Sequence, residues 1–175
     1  MHSLELLLDD AAEASVRADW DRLLAAGLPS SGRHGSPSNA PHITLVAAPS
    51  LAPETVPGVD ERIAAAAGFV DLPLASAGML LFGPGRGGYV LVRQVVTTPE
   101  LLELHRRVCA AVHPLPGQVR TSFPGAWTPH ITLARRMRAE QLAEALEVLG
   151  PPAEPLRAVG LRRWDADART VVRLA

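Results

Sequence analysis

The sequence predicts mixed strands and helices in two paired halves, an α/β or α+β sandwich of two sheets. Three observations predict it. The pentapeptide Pro-His-Ile-Thr-Leu occurs twice, at 41–45 and 129–133, and its histidines lie 88 residues apart. The elements around the two copies follow the same order, strand–helix–loop–motif strand–helix–strand. Each half then holds a strand edge and an apolar helix face to bury, so the halves should pair about a pseudo-twofold axis.

The elements follow in order. Residues 2–9 form a short apolar strand. Residues 9–27 open with acids and end in glycine, the pattern of a helix. A loop rich in Ser, Gly and Pro follows, and His34 in it is a minor candidate for substrate contact. The first motif lies on a strand at 41–48, and a helix is expected over 53–67, ending at Gly68. Residues 69–82 form a long extended run. The stretch Gly83-Pro84-Gly85-Arg86-Gly87-Gly88 lacks the Lys-Ser/Thr of a phosphate loop and reads as a hairpin turn. A β-branched strand at 89–96 follows. A helix at 98–113 has Thr98 as N-cap and Pro99 at its first position. His105, beside two arginines, is expected to be solvated. His113 sits at the helix C-terminus, where a cation is favoured, and Cys109 packs on a helix face. The second motif strand covers 129–136 and a helix covers 138–149. A hairpin turning near Asp165-Ala166-Asp167-Ala168 closes the chain.

Composition narrows the function. The chain has 175 residues, 47% of them apolar, and a formal net charge of −1. That is enough for a core and supplies no global field toward nucleic acid or membrane. The charge is uneven: residues 1–92 carry −5 and residues 93–175 carry +4. Anion affinity should therefore lean on the second half. All 17 basic residues are arginine, a bias that a GC-rich genome explains at once. The lone Cys109 excludes a disulfide framework or cysteine metal cluster within the chain. With no signal-like or spanning apolar run, a soluble cytoplasmic protein is expected.

On a strand, residues i and i+2 share a face. His42 and Thr44 therefore face together, as do His130 and Thr132, while Ile43, Leu45, Ile131 and Leu133 anchor the core. A twofold relation brings both polar pairs to one cleft. A neutral histidine can take a proton from an attacking water while a protonated one supplies a leaving oxygen. Threonine hydroxyls can donate to the non-bridging oxygens of a phosphate between them. This set suits phosphoester cleavage without a metal. A zinc site, a duplicated fold with structural histidines, and a non-catalytic binder are the rivals. Zinc usually takes three or four ligands, and neither motif carries an acid or a cysteine.

The paired motifs, above all Trp127-Thr128-Pro129-His130-Ile131-Thr132-Leu133-Ala134-Arg135, resemble the two-histidine (2H) phosphoesterases, in the branch of 2'-5' RNA ligases and RNA 2',3'-cyclic phosphodiesterases. The resemblance spans nearly the whole chain. It implies His42 and His130 as the acid–base pair, with Thr44 and Thr132 holding the phosphate. It also implies a substrate-binding role for Arg135, five residues after the second histidine, and for Trp127, three before it. A regular strand puts Arg136, not Arg135, on the face of His130, so Arg135 reaches the cleft only if the strand ends or bulges near Ala134.

The fold expected is α+β, a single domain over 1–175 with a repeat at roughly 1–87 and 88–175. Two pseudo-symmetric lobes, each mostly antiparallel sheet with helices outside, would leave a cleft between the sheets. The function expected is metal-independent opening of 2',3'-cyclic phosphates of RNA ends or nucleotides, with ligation as the reverse reaction. The alternatives are a non-catalytic RNA-end or nucleotide binder and a phosphodiesterase on 2'-5' oligoadenylate or a nucleotide-sugar cyclic phosphate. No cofactor, metal, membrane or obligatory protein partner is expected, and the chain should act as a monomer.

Overall fold

The computed structural model describes residues 1–33, 35–36, 38–151 and 155–175; the candidate His34 lies outside them. The chain forms β1 (His2–Leu8), α1 (Asp10–Ala25), β2 (His42–Ala48), α2 (Val59–Ala67), β3 (Leu72–Leu74), β4 (Ser76–Gly85), β5 (Gly88–Val95), α3 (Pro99–Val112), β6 (His130–Met137), α4 (Glu140–Leu149), β7 (Leu156–Asp165) and β8 (Thr170–Arg173). The fold is α+β, as the sequence predicts, but the two halves do not form separate sheets: their motif strands pair, and all eight strands belong to one sheet. Strands run in the order β3-β7-β1-β2-β6-β5-β4, with β8 beside β7, and every pairing is antiparallel. No helix among the described residues is long and apolar enough to cross a membrane.

Local chemistry sets most boundaries. Asp9 caps α1, its carboxylate accepting from the Ala12 amide at 2.8 Å, and Thr98 caps α3 through the Leu101 amide at 3.2 Å. Each cap satisfies a donor the helix cannot use internally. Helix α2 starts at Val59 rather than near 53, because Pro57-Gly58 interrupts the run and Gly58 takes a left-handed φ of 64°. The extended run over 69–82 is split at Ala75. Its first part, β3, pairs with β7, and its second, β4, pairs with β5.

That split shows how the repeats are woven. The motif strands β2 and β6 meet at one bridge, Ile43 opposite Ile131, the residue between His and Thr in each motif. On one side lie β1, β7 and β3; on the other, β5 and β4. Thus β7, from the second repeat, completes the first lobe, and β4, from the first repeat, completes the second. Leu4, Leu6, Ile43, Leu45, Leu91, Ile131 and Leu133 belong to one core with the apolar stripes of the helices. The opposite face of each strand carries the site.

A buried ion pair ties the lobes behind that face. Arg93 on β5 donates from Nε to Asp19 of α1 at 2.8 Å and from Nη1 to the Ser15 hydroxyl at 3.2 Å. His105, expected in solvent, is 1% exposed. It sits on the stripe Leu101, Leu104, Val108 and Val112 of α3, stacks on Trp127 with centroids 4.0 Å apart, and contacts the Leu45 and Ser122 carbonyls through Nε2 at 3.1 Å each.

Candidate active site

The antiparallel register through Ile43 and Ile131, continued by one residue either way, sets His42 opposite Thr132 and Thr44 opposite His130. Each imidazole therefore faces the other repeat's hydroxyl. His42 and Thr132 line one cavity of about 590 Å³ with Arg135. The rings are oriented alike. His42 Nδ1 lies 2.7 Å from the Ala40 carbonyl, and His130 Nδ1 lies 2.7 Å from the Thr128 carbonyl. A carbonyl only accepts, so Nδ1 carries the proton in both rings and Nε2 is left for chemistry.

Arg135 reaches the threonine because β6 bulges. Gln94 pairs with His130 and Val92 with Thr132, but Leu91 pairs with Ala134, so Leu133 is the extra residue. Its counterpart Leu45 is skipped in the same way between β1 and β2. Parity flips after each leucine, and Arg135 returns to the face of Thr132, its Nη2 lying 3.5 Å from the Thr132 hydroxyl. The matching position in the first repeat is Ala47, so only one side of the cleft gains this cation.

The two walls differ chemically. Beside His42 the first lobe presents Glu5, which is 4% exposed; its Oε1 lies 3.5 Å from His42 Nε2. Glu5 is held by the Ser3 hydroxyl at 2.6 Å and by Arg162 Nε at 2.7 Å. A carboxylate can only accept, so this contact is favourable when Nε2 bears a proton. Glu5, Arg162 and Trp164 line a second cavity that shares His42. Beside His130 the second lobe presents Phe82, whose ring meets the imidazole edge-on at 4.8 Å. Burial pushes the His130 imidazole below its ordinary value. The Arg135 and His42 charges act in the same direction, against the Thr128 carbonyl.

Two tryptophans lock the motifs to each other. Trp20 of α1 donates to the Thr132 carbonyl at 3.0 Å, and Trp127 donates to the Thr44 carbonyl at 2.9 Å. Each indole thus holds the threonine of the opposite repeat. One face of Trp127 is covered by His105, and Trp127, like Thr44 and His130, is not among the residues lining either cavity. A net hydrogen bond is worth about 0.5–1.5 kcal/mol. Trp20→Phe and Trp127→Phe are therefore expected to lower kcat by up to about tenfold at little change in KM. Unchanged kcat in both variants would remove the positioning role.

Of the candidates read from the sequence, His42, Thr132 and Arg135 line one cavity, while Thr44 and His130 stand beside it by strand register and line neither cavity. Glu5 and Trp20, which line the cavities with His42, were not read from the sequence. The signal for Glu5 was a single acid alternating with leucines in β1. The signal for Trp20 was its place on the stripe Ala12, Val16, Leu23.

A family model described as the 2'-5' RNA ligase superfamily matches residues 9–170. Comparison with curated proteins gives no match. Among solved structures, the chain is similar to TT0787 of Thermus thermophilus, with a TM-score of 0.61 and 18% identity over 99% of this chain and 94% of that one. It is also similar to Usb1 of Kluyveromyces marxianus, with a TM-score of 0.52 and 13% identity over 99% and 96% of the two chains. The same protein with uridine monophosphate gives a TM-score of 0.53 at 13% identity over 99% and 96%. At these identities the structural likeness speaks for the fold alone.

Proposed function

Because the chain belongs to the 2'-5' RNA ligase superfamily, we propose that it is a metal-independent phosphoesterase opening the 2',3'-cyclic phosphate of an RNA end or nucleotide. Membership supports a phosphoesterase type of activity; the substrate is what the resemblance of the paired motifs implies, and the roles are proposed from the site. The observation that carries the reading is the matched pair of imidazoles, each tied at Nδ1 and facing the other repeat's threonine.

His130 is assigned as the base and His42 as the acid. His130 is held toward its neutral form, and its Nε2 takes a proton from the attacking water. The new P–O bond forms from that water oxygen. The bond to one ribose oxygen breaks, and the departing oxygen receives its proton from His42 Nε2, beside the Glu5 carboxylate. The Thr44 and Thr132 hydroxyls donate to the non-bridging oxygens, and Arg135 offsets the developing charge. Reversal joins a cyclic phosphate to a hydroxyl, but relief of ring strain favours hydrolysis. The chain is proposed to work as one domain, each repeat supplying half of the site.

The pH dependence follows from the roles. The base must be neutral, so activity falls as pH drops through the His130 pKa, which lies below the ordinary imidazole value. The acid must hold its proton, so activity falls again as pH rises. A bell-shaped kcat/KM profile is expected, with its acidic limb below about pH 6.5. A profile flat from pH 5 to 8, or an acidic limb above that value, contradicts the assignment. The function itself is tested with a panel of 2',3'-cyclic nucleotides, cyclic-ended RNA and 2'-5' dinucleotides, in the presence of a chelator. Ring opening is expected; loss of turnover to the chelator, or no turnover on the panel, overturns the reading.

A further inference from the structure

The cavity that contains His42 and Thr132 extends between the loop after α1 and the far end of β6, and its wall carries Arg33, Arg135 and Arg136. No aspartate or glutamate among the described residues lines it. None of the three arginines has a carboxylate partner among the described residues, whereas Arg93, Arg162 and Arg163 are each paired with one. The volume, about 590 Å³, falls within the usual range for small-molecule sites.

The placement of Arg136 is specific. On a regular strand Arg135 and Arg136 would point to opposite faces. Here Tyr89 pairs with Met137 and Leu91 with Ala134, so Val90 stands opposite two residues, Arg135 and Arg136. Arg136 takes a left-handed φ of 60°, a conformation unfavourable for a side chain of this size. The adjoining β4–β5 hairpin is shaped to allow it. A Cβ on Gly88 would lie 2.4 Å from the Met137 carbonyl oxygen, and one on Gly87 would lie 3.4 Å from Arg136 Cγ. The bulge at Leu133 is shared with the first repeat, but this second one is not. The positions matching Arg135 and Arg136 there are Ala47 and Ala48. The arginine pair is therefore an addition to one side of a duplicated scaffold.

A cyclic phosphate carries one negative charge, which Arg135 and the threonines already meet. Two further guanidiniums without carboxylates repel each other and Arg135 until a second anion enters. Guanidinium forks fit phosphate oxygens in a bidentate way, and Ser31 and Gln141 on the same wall add neutral hydrogen-bonding groups. We propose that Arg33 and Arg136 form a subsite for a second phosphate. The preferred substrate then carries a 5'-phosphate or 5'-phosphodiester on the nucleoside whose cyclic phosphate is opened. The proposal rests on the phosphoesterase reading above.

The test compares kcat/KM for uridine 2',3'-cyclic phosphate, its 5'-phosphorylated form, and the dinucleotide UpU ending in a 2',3'-cyclic phosphate. The 5'-phosphorylated substrates are expected to exceed the nucleoside by about tenfold or more, with the advantage shrinking as salt rises. The bisphosphate being preferred points to a free nucleotide, the dinucleotide to an RNA end. In Arg33→Gln/Arg136→Gln the ratio should fall to near one. A ratio near one in the unaltered protein, or a ratio that survives the double change, overturns the subsite. Calorimetric titration with uridine 3'-phosphate and uridine 3',5'-bisphosphate separates the two ideas. Tighter bisphosphate binding that the double variant loses upholds the subsite even if no cyclic phosphate is opened. Ring opening without any preference for the second phosphate upholds the activity and removes the subsite.

Discussion

His130→Ala and His42→Ala are each expected to lower kcat on a cyclic phosphate by about 10²–10⁴-fold, with the fold retained. Both rings lie on the open face of the paired motif strands, and the core beneath is built from Ile43, Leu45, Ile131 and Leu133. Removing either imidazole should therefore leave thermal unfolding nearly unchanged. The two variants should differ when the leaving group changes. A p-nitrophenyl ester departs without a proton, so turnover of such a diester should largely return in His42→Ala and stay low in His130→Ala. Activity within about tenfold of the parent in either variant on a cyclic phosphate excludes that histidine from the chemistry. Rescue of His130→Ala instead of His42→Ala would exchange their roles.

Asp19→Ala is expected to destabilise the protein by about 3–5 kcal/mol, read as a lower midpoint in denaturant unfolding. Arg93 is 1% exposed and donates through Nε and Nη2 to a single oxygen of Asp19. Truncating the acid releases the exposed Arg22 and leaves a buried guanidinium whose partners among the described residues are the Ser15 hydroxyl and carbonyl. Typical domains have about 5–15 kcal/mol in total, so the loss is large. Replacing the whole pair, as Asp19→Leu/Arg93→Met, should recover most of it, since two apolar side chains carry no desolvation cost. A change below about 1 kcal/mol in Asp19→Ala would mean that water or another group already compensates Arg93. The pair joins α1 of the first repeat to β5 of the second, so its loss should also slow turnover by loosening the lobes.

The site residues were legible because their signal is local. His42 and Thr44, and His130 and Thr132, share a face by strand periodicity alone, and the repeat offset locates the second pair from the first. Arg135 was half legible. Parity required a bulge, and the extra residue is Leu133, one position before Ala134. Other features depend on pairing that no local pattern encodes. The run over 69–82 reads as one strand, but its two ends pair with strands on opposite lobes. Glu5, Asp19 and Arg93 are charges that usually meet solvent, and only the folded chain sets each beside its partner. His105 was within reach of the sequence. The arginines beside it suggested solvent, whereas its spacing from Leu101, Leu104 and Val108 places it on the buried stripe.

The crossing of β7 into the first lobe bears on the order in which a nascent chain matures. Residues 76–137 contain β4, β5 and β6 and can pair among themselves as soon as they leave the ribosome. Strand β1 is synthesised first, yet one of its edges has no neighbour until residues 156–165 emerge. An unpaired apolar edge invites association with other chains. The lobe begun earliest is thus finished last, and Arg162 reaches Glu5 only at that final step. A chain stopped after α4 holds both histidines and Glu5 and still lacks Arg162 and Trp164, which line the second cavity with His42 and Glu5.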